Sequence, residues 1–346
     1  MLNNRNIWAR CLVTLLAAAL LAGCSPVVRE NAPVERDVQA EDDAGHYPVE
    51  IENLSSKGDK ETQTYKASPK RVVAVWQNSI ETLLALGVGD RIVAGMGVPD
   101  EKYILPEYRA KYEKIPYTSL ENLDMETIMM MEPDLIVGWY STFQSKVLRS
   151  TQFWHDRGIH TYIAPASSAS APEKTLDEEY QDILNMGKIF DRQERAEAIV
   201  GKMKDEISRV TEASRELGLH RRGIIVELTG RNLQVYGEKT LAGHILEAVG
   251  GELLGADLDA ISKEQLVDMD PDAIFVVVIE SDYDRADEIL DILYHDSGLQ
   301  SLSAVQNHRI YALPLYSIYS SGIRTYDGIQ KIAKGLYPEL YSEESK

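Results

Sequence analysis

Two α/β lobes of the doubly wound type, joined by one long α-helix, are the fold class that this 346-residue sequence predicts. Three observations carry the expectation. Short β-branched runs alternate with segments of helical period, first in one half of the chain and then again in the other. One helix-to-strand junction occurs twice: Glu126 precedes the string PDLIV at Pro133 by seven residues, and Glu264 precedes PDAIFV at Pro271 by the same seven, so the two junctions lie 138 positions apart. Between the halves, Thr175 to Leu217 contains almost no turn chemistry besides Gly187 and Gly201.

The elements follow in chain order. Arg5 and Arg10 bracket a short positive region, and Leu12 to Leu21 is apolar apart from Thr14, too short to span a bilayer comfortably; residues 1–23 therefore read as a cleaved signal peptide. The signal ends in Leu21-Ala22-Gly23-Cys24, which resembles the bacterial lipobox, so Cys24 is the expected lipidation site. Residues 24–68 are rich in Glu, Asp, Pro and Ser without a sustained period and predict a flexible acidic tether, in which only Tyr47 to Leu54 suggests an edge strand.

The N-terminal lobe, 69–174, opens with the strand Arg71 to Val75 and a helix over Ser79 to Leu86. The strand Arg91–Ala94, the helix Asp124–Met131 stopped at Pro133, the strand Asp134–Val137, a helix around Gln144–Arg157 and the strand Thr161–Ala164 complete it. The connecting segment, 175–218, keeps apolar residues at Ala196, Ile199, Val200, Met203, Ile207 and Val210. A helix over Glu194 to Leu217 would run roughly 35 Å, enough to brace two lobes side by side. The C-terminal lobe, 219–341, repeats the grammar with the strand Gly223–Leu228, the helix Leu241–Val249 and the strand Ile274–Ile279.

Composition removes several function classes. Lys and Arg number 36 against 55 Asp and Glu, a net charge of -19, which argues against a nucleic-acid partner. Cleavage after Gly23 removes two Arg and no acid, leaving 34 bases, 55 acids and a charge of -21. The two cysteines, Cys11 and Cys24, both lie at the N-terminal end, so the folded body has no disulfide and no thiolate nucleophile. No GxSxG, HExxH, P-loop or GxGxxG stands in strand-helix context, so no enzyme, catalytic residue or cofactor is expected. The seven histidines are scattered, with only His155 and His160 close together, so no metal site is expected.

Five stretches in the right order behind a lipobox resemble the class III substrate-binding proteins of bacterial ABC importers, which bind iron-siderophores, haem or vitamin B12. They are RVVAVWQNSIETLLALGVGDRIVAG, NLDMETIMMMEPDLIVGW, YGEKTLAGHILEAVGGELLG, ISKEQLVDMDPDAIFVVV, and LSAVQNHRIYALP with the later SSGIRTYDGIQKIAKGLYPELY. The resemblance covers residues 69–341. It implies a shallow ligand cleft between the lobes, a monomer held on the extracytoplasmic membrane face by its lipid, and partnership with an ABC permease dimer and its ATPase.

α/β sheets bind ligands beyond the carboxyl ends of their strands. That rule points to Trp76, Gln77, Met96, Trp139 and Tyr140 on one lobe and to Arg231, Tyr236, Tyr316 and Arg324 on the other. Tyr, at 18 residues against 4 Phe, supplies an apolar face with a hydroxyl. The resemblance implies an aromatic contact for Trp139 and a ligand-facing guanidinium for Arg324, suited to carboxylate, hydroxamate or catecholate oxygens. Glu126 and Glu264 match the exposed acids with which the family meets basic residues of the permease. DEKYILPEYRAKY, from Asp100, resembles a region of ferric citrate and related siderophore binders, so a ferric siderophore or similar iron chelate is the expected ligand. Cobalamin is the alternative that Trp139 favours, although the loop before Ile261 has no Trp where the resemblance to B12-binding members implies one; haem, with Tyr103, Tyr140 or Tyr316 as axial ligand, is another, and a non-transport binding or sensor lipoprotein is the alternative of a different class.

Overall fold

The computed structural model describes residues 45–121, 124–168, 174–230 and 232–341. The signal segment, Cys24 and Arg231 lie outside these residues.

The first elements are two strands, β1 (Val49–Leu54) and β2 (Lys60–Tyr65), paired antiparallel with Val49 opposite Tyr65 and Leu54 opposite Lys60. The N-terminal lobe then runs β3 (Val72–Val75), α1 (Gln77–Ala85), β4 (Ile92–Met96), α2 (Pro106–Tyr112), β5 (Thr118–Ser119), α3 (Met125–Met130), β6 (Leu135–Gly138), α4 (Thr151–His155) and β7 (His160–Ile163). Its five strands are parallel in the order β5-β4-β3-β6-β7. Strand β3 is central and every residue in it is buried, which is why its sequence is an unbroken apolar run. Two helices differ from expectation. α4 begins only after Ser150, whose hydroxyl accepts from the Phe153 N–H, and Arg149 before it is left-handed at φ 64°, so 144–149 is loop. α2 was not anticipated; Pro106 starts it.

β1 falls within Tyr47–Leu54, where the sequence suggests an edge strand, and β2 corrects the rest of the expected tether up to Tyr65. Their polar residues have a specific task. The Asn53 side chain accepts from the Ile163 N–H at 2.8 Å and donates to its carbonyl at 2.9 Å, while the Gln63 amide donates to the Thr161 carbonyl at 2.7 Å and accepts from its N–H at 3.2 Å. Two buried amides thus satisfy the open edge of β7 in place of a sixth strand.

The connecting segment is two helices, α5 (Leu176–Ile189) and α6 (Gln193–Glu216), broken at Asp191 with φ 54°. Thr175 and Glu178 form a capping box at the start of α5. The buried stripe of α6 includes Ala196, Val200, Met203 and Val210.

The C-terminal lobe comprises β8 (Arg222–Thr229), β9 (Asn232–Val235), α7 (Leu241–Ala248), β10 (Glu252–Leu253), β11 (Ala260–Ile261), α8 (Lys263–Met269), β12 (Ala273–Val278), α9 (Ala286–Tyr294), α10 (Ser303–Gln306), β13 (Ile310–Pro314) and α11 (Thr325–Leu336). The sheet order is β11-β9-β8-β12-β13, with β10 beside β8. Here β9 is antiparallel to both β8 and β11, so this sheet is mixed and the lobe is not a strict copy of the first. α11 packs on α7, β13 and α6, which ties the long helix to this lobe as α5 ties it to the other.

The repeated Pro-Asp junction has a physical basis. Asp134 accepts from the backbone N–H groups of Lys70 and Arg71, and Asp272 accepts from that of Arg222. The same arginines reach back to the end of the preceding helix: Arg71 donates to the carbonyls of Met131 and Glu132, and Arg222 to those of Met269 and Asp270. Glu132 and Asp270 are both left-handed, at φ 45° and 41°. Each lobe therefore fastens a helix end to its central strand with one arginine and one aspartate.

Candidate binding cleft

Beyond the carboxyl ends of the strands, loops of the two lobes meet around an open cleft. From the N-terminal lobe Trp76, Gln77, Asn78, Pro99, Leu120 and Trp139 line it, and from the other Glu280, Leu315, Tyr316, Tyr319, Ser320 and Arg324.

Trp76 lies between β3 and α1 with φ 76° and ψ 150°, a conformation L-residues seldom adopt. Its N–H donates to the Met96 carbonyl at 2.7 Å and its indole N–H to Thr142 Oγ1 at 3.2 Å. Gly97, at φ 85°, gives the ring its place, because a Cβ there would come within 2.8 Å of the indole. Trp139 stacks on Trp76 with centroids 4.8 Å apart and planes at 24°, and donates its indole N–H to Asn78 Oδ1 at 2.9 Å. Tyr319 of the opposite lobe meets Trp139 edge-on at 5.4 Å, and Tyr316 meets Tyr283 at 6.3 Å. Tyr140 is half-buried, with its N–H bonded to Ser167 Oγ. Ser320, left-handed at φ 46°, has a buried hydroxyl without a hydrogen-bond partner.

Arg324 is placed at the cleft but is not free. Its Nε and Nη2 grip Glu81 of α1 at 2.7 and 2.8 Å, Nη1 donates to Asp327 at 3.0 Å, and Nη2 also donates to the Tyr103 carbonyl at 2.5 Å. The guanidinium lies 4.8 Å from the Tyr316 ring centroid. Burial opposes its charge, but the hydrogen bonds and field of Glu81 and Asp327 outweigh that and raise its pKa. The same loop is tied to α5: Glu179 accepts from the N–H groups of Ser321 and Gly322 and from Thr325 Oγ1. Burial pushes the Glu179 carboxyl up to about 8, and raises that of the cleft residue Glu280 as well.

Three expected ligand contacts, Met96, Tyr140 and Tyr236, are not among the residues that line the cleft. Met96 is 0 % exposed, a core side chain at the end of β4, because the chain leaves the sheet one residue later at Gly97. Tyr236 does not line the cleft; its hydroxyl donates to Glu227 at 2.7 Å. Gln77 lines the cleft, yet its amide is engaged by Glu81 and the Tyr103 carbonyl. The sequence reading missed Leu120, Leu315 and Glu81. Leu120 follows a two-residue strand too short to show a pattern, and Glu81 reads as an ordinary helical acid because its partner is 243 positions away.

Glu126 and Glu264 each occupy the first turn of a short helix, α3 and α8, and are exposed. Its own backbone N–H and the Ser262 side chain hold the Glu264 carboxyl below its ordinary value. Among the described residues no group of three or more His, Cys, Asp or Glu could hold a metal ion, and no helix is long and apolar enough to cross a membrane.

Comparison with known proteins agrees with this architecture. Residues 72–316 match the family model described as periplasmic binding protein. The crystal structure of a periplasmic binding protein from Veillonella parvula DSM 2008 is 42% identical, covers 86% of this chain and 93% of its own, and superposes with a TM-score of 0.82. An uncharacterized ABC transporter substrate-binding lipoprotein, YvrC of Bacillus subtilis (strain 168), is 25% identical over 99% of this chain and 100% of its own. The vitamin B12-binding protein of Pectobacterium carotovorum is 22% identical over 61% of this chain and 72% of its own. Two α/β lobes, a long connecting helix and a loop-lined cleft between them thus meet a family match over most of the chain: the protein belongs to the periplasmic binding protein family and is a substrate-binding component of an ABC transporter.

Proposed function

We propose that this protein is a lipid-anchored receptor on the extracytoplasmic membrane face that captures a metal chelate without net negative charge, a corrinoid above all, and delivers it to an ABC permease. One observation carries the choice of ligand: the wall is aromatic, and Arg324, the cation among the described lining residues, is already neutralised by a buried carboxylate. A broad ring with apolar faces can lie against the stacked indoles and the tyrosines of the wall. An anionic ferric catecholate or citrate would instead meet Glu280 and a compensated arginine, an electrostatic mismatch. The name of the Pectobacterium relative supports the corrinoid, and that of the B. subtilis lipoprotein supports the anchor at Cys24.

A ferric siderophore, the ligand the sequence favours, stands as the second reading in its uncharged or cationic hydroxamate form. The segment from Asp100 that suggests it borders the cleft through the Tyr103 carbonyl. Glu126 and Glu264 would present a carboxylate from each lobe to the permease. Isothermal titration of the mature protein with cyanocobalamin, ferrioxamine, ferric citrate and hemin tests the reading. Cyanocobalamin is expected to bind most tightly; tightest binding by ferric citrate or hemin would refute it.

A further inference from the structure

We infer that Glu81 is a specificity-determining residue: by holding Arg324 in a buried pair, it withholds the cation of the cleft from anionic ligands. The inference rests on the reading that the natural ligand carries no net negative charge.

Glu81 lies in α1, directly behind the cleft residues Trp76 to Asn78, and is 0 % exposed. Its two oxygens take four donors: the Leu105 N–H at 2.7 Å, the Gln77 amide at 3.1 Å, and Nη2 and Nε of Arg324. The carboxylate is thus held in place from three directions, without reliance on Arg324 alone. Arg324 commits four of its five N–H donors to Glu81, Asp327 and the Tyr103 carbonyl. What it shows the cleft is a guanidinium whose charge is compensated and whose donors are nearly spent. Such a group packs against a ligand well and attracts an anion poorly.

The neighbouring charges sharpen the point. Among the described residues Glu280 is the other charged residue of the lining, and it is acidic. Lys102 is paired with Asp284, and Lys331 donates to the Tyr283 hydroxyl. Lys174 lies over the Tyr319 ring at 4.2 Å and is not part of the lining. Removing the charge of Glu81 would therefore give the cleft an uncompensated cation that its described lining residues lack, whereas Glu81 as a mere tie between lobes would, when lost, weaken all ligands alike.

The test compares ferric citrate, an anionic chelate, with ferrioxamine, a cationic one, by isothermal titration on wild type, Glu81→Gln and the double variant Glu81→Gln/Arg324→Gln. Glu81→Gln is expected to gain about tenfold or more in affinity for ferric citrate, to stay within about threefold for ferrioxamine, and to lose the gain in the double variant. An unchanged or reduced affinity for ferric citrate in folded Glu81→Gln, or a gain that survives in the double variant, overturns the inference. Should Glu81→Gln fail to fold, Asp327→Asn, at a partly exposed partner of the same guanidinium, is expected to raise ferric citrate affinity by about threefold, and no rise there overturns it equally. The inference is read from the change between variant and wild type; a wild type that prefers the anion refutes the proposed ligand class instead.

Discussion

Gly97 and Trp76 show how closely the cleft is specified at the scale of single residues. A Cβ at 97 would both oppose a φ of 85° and strike the indole, so Gly97→Ala should destabilise the protein by about 1–3 kcal/mol and shift its tryptophan emission. Thermal melting with emission spectra checks this; an unaltered spectrum would show that the ring does not depend on the glycine. Trp139 contributes a stack and a hydrogen bond to Asn78 at the rim of the cleft, away from the centre of either core. Trp139→Ala should weaken cyanocobalamin binding by about tenfold with little change in Tm, since an aromatic contact is worth roughly 0.5–1.5 kcal/mol beyond its buried area. A large loss of stability with unaltered affinity would make it a packing residue. The position of Trp139 was legible because it directly follows an apolar strand. The state of Arg324 was not legible, because its charge is set by Glu81, which no local pattern connects to it.

At the scale of elements, patterns of burial were readable and patterns of polar satisfaction were not. Strands β3 and β12, buried along their whole lengths, stand out as apolar runs, and the stripe on α6 follows from its period. β2 reads as tether, and β1 as no more than a suggested edge strand, because Gln63 and Asn53 look solvated until the edge of β7 is known. Asn53→Ala would leave the N–H and carbonyl of Ile163 unpaired, and urea denaturation should report a loss of about 1–3 kcal/mol. In α5, Glu179 is raised from about 4.5 to about 8 and Asp182 to about 7, both chiefly by burial. The folded state then binds protons that the unfolded chain has released, so stability falls as pH rises from about 4.5 to about 8. Urea midpoints at pH 5 and pH 8 should differ accordingly, and Glu179→Gln should reduce the difference; an equal difference in the variant would assign the effect elsewhere.

For the whole molecule, the two lobes are linked through α6, through Glu179, through the Glu81–Arg324 pair and through the Lys102–Asp284 ion pair. Such linkage favours small relative movements of the lobes over wide opening. The duplicated junction, with its arginine, its aspartate and its left-handed residue, places Glu126 and Glu264 on matching helices of both lobes. Charge reversal at both glutamates should abolish uptake in cells while leaving ligand affinity intact; normal uptake would remove them from the permease contact. The central claim is that an aromatic cleft with a compensated arginine receives a corrinoid. A crystal structure of the protein with cyanocobalamin tests it most directly: the ring is predicted against Trp139 and Tyr319 with Arg324 still on Glu81, whereas a ring bound elsewhere, or an Arg324 turned from Glu81 to the ligand, would contradict it.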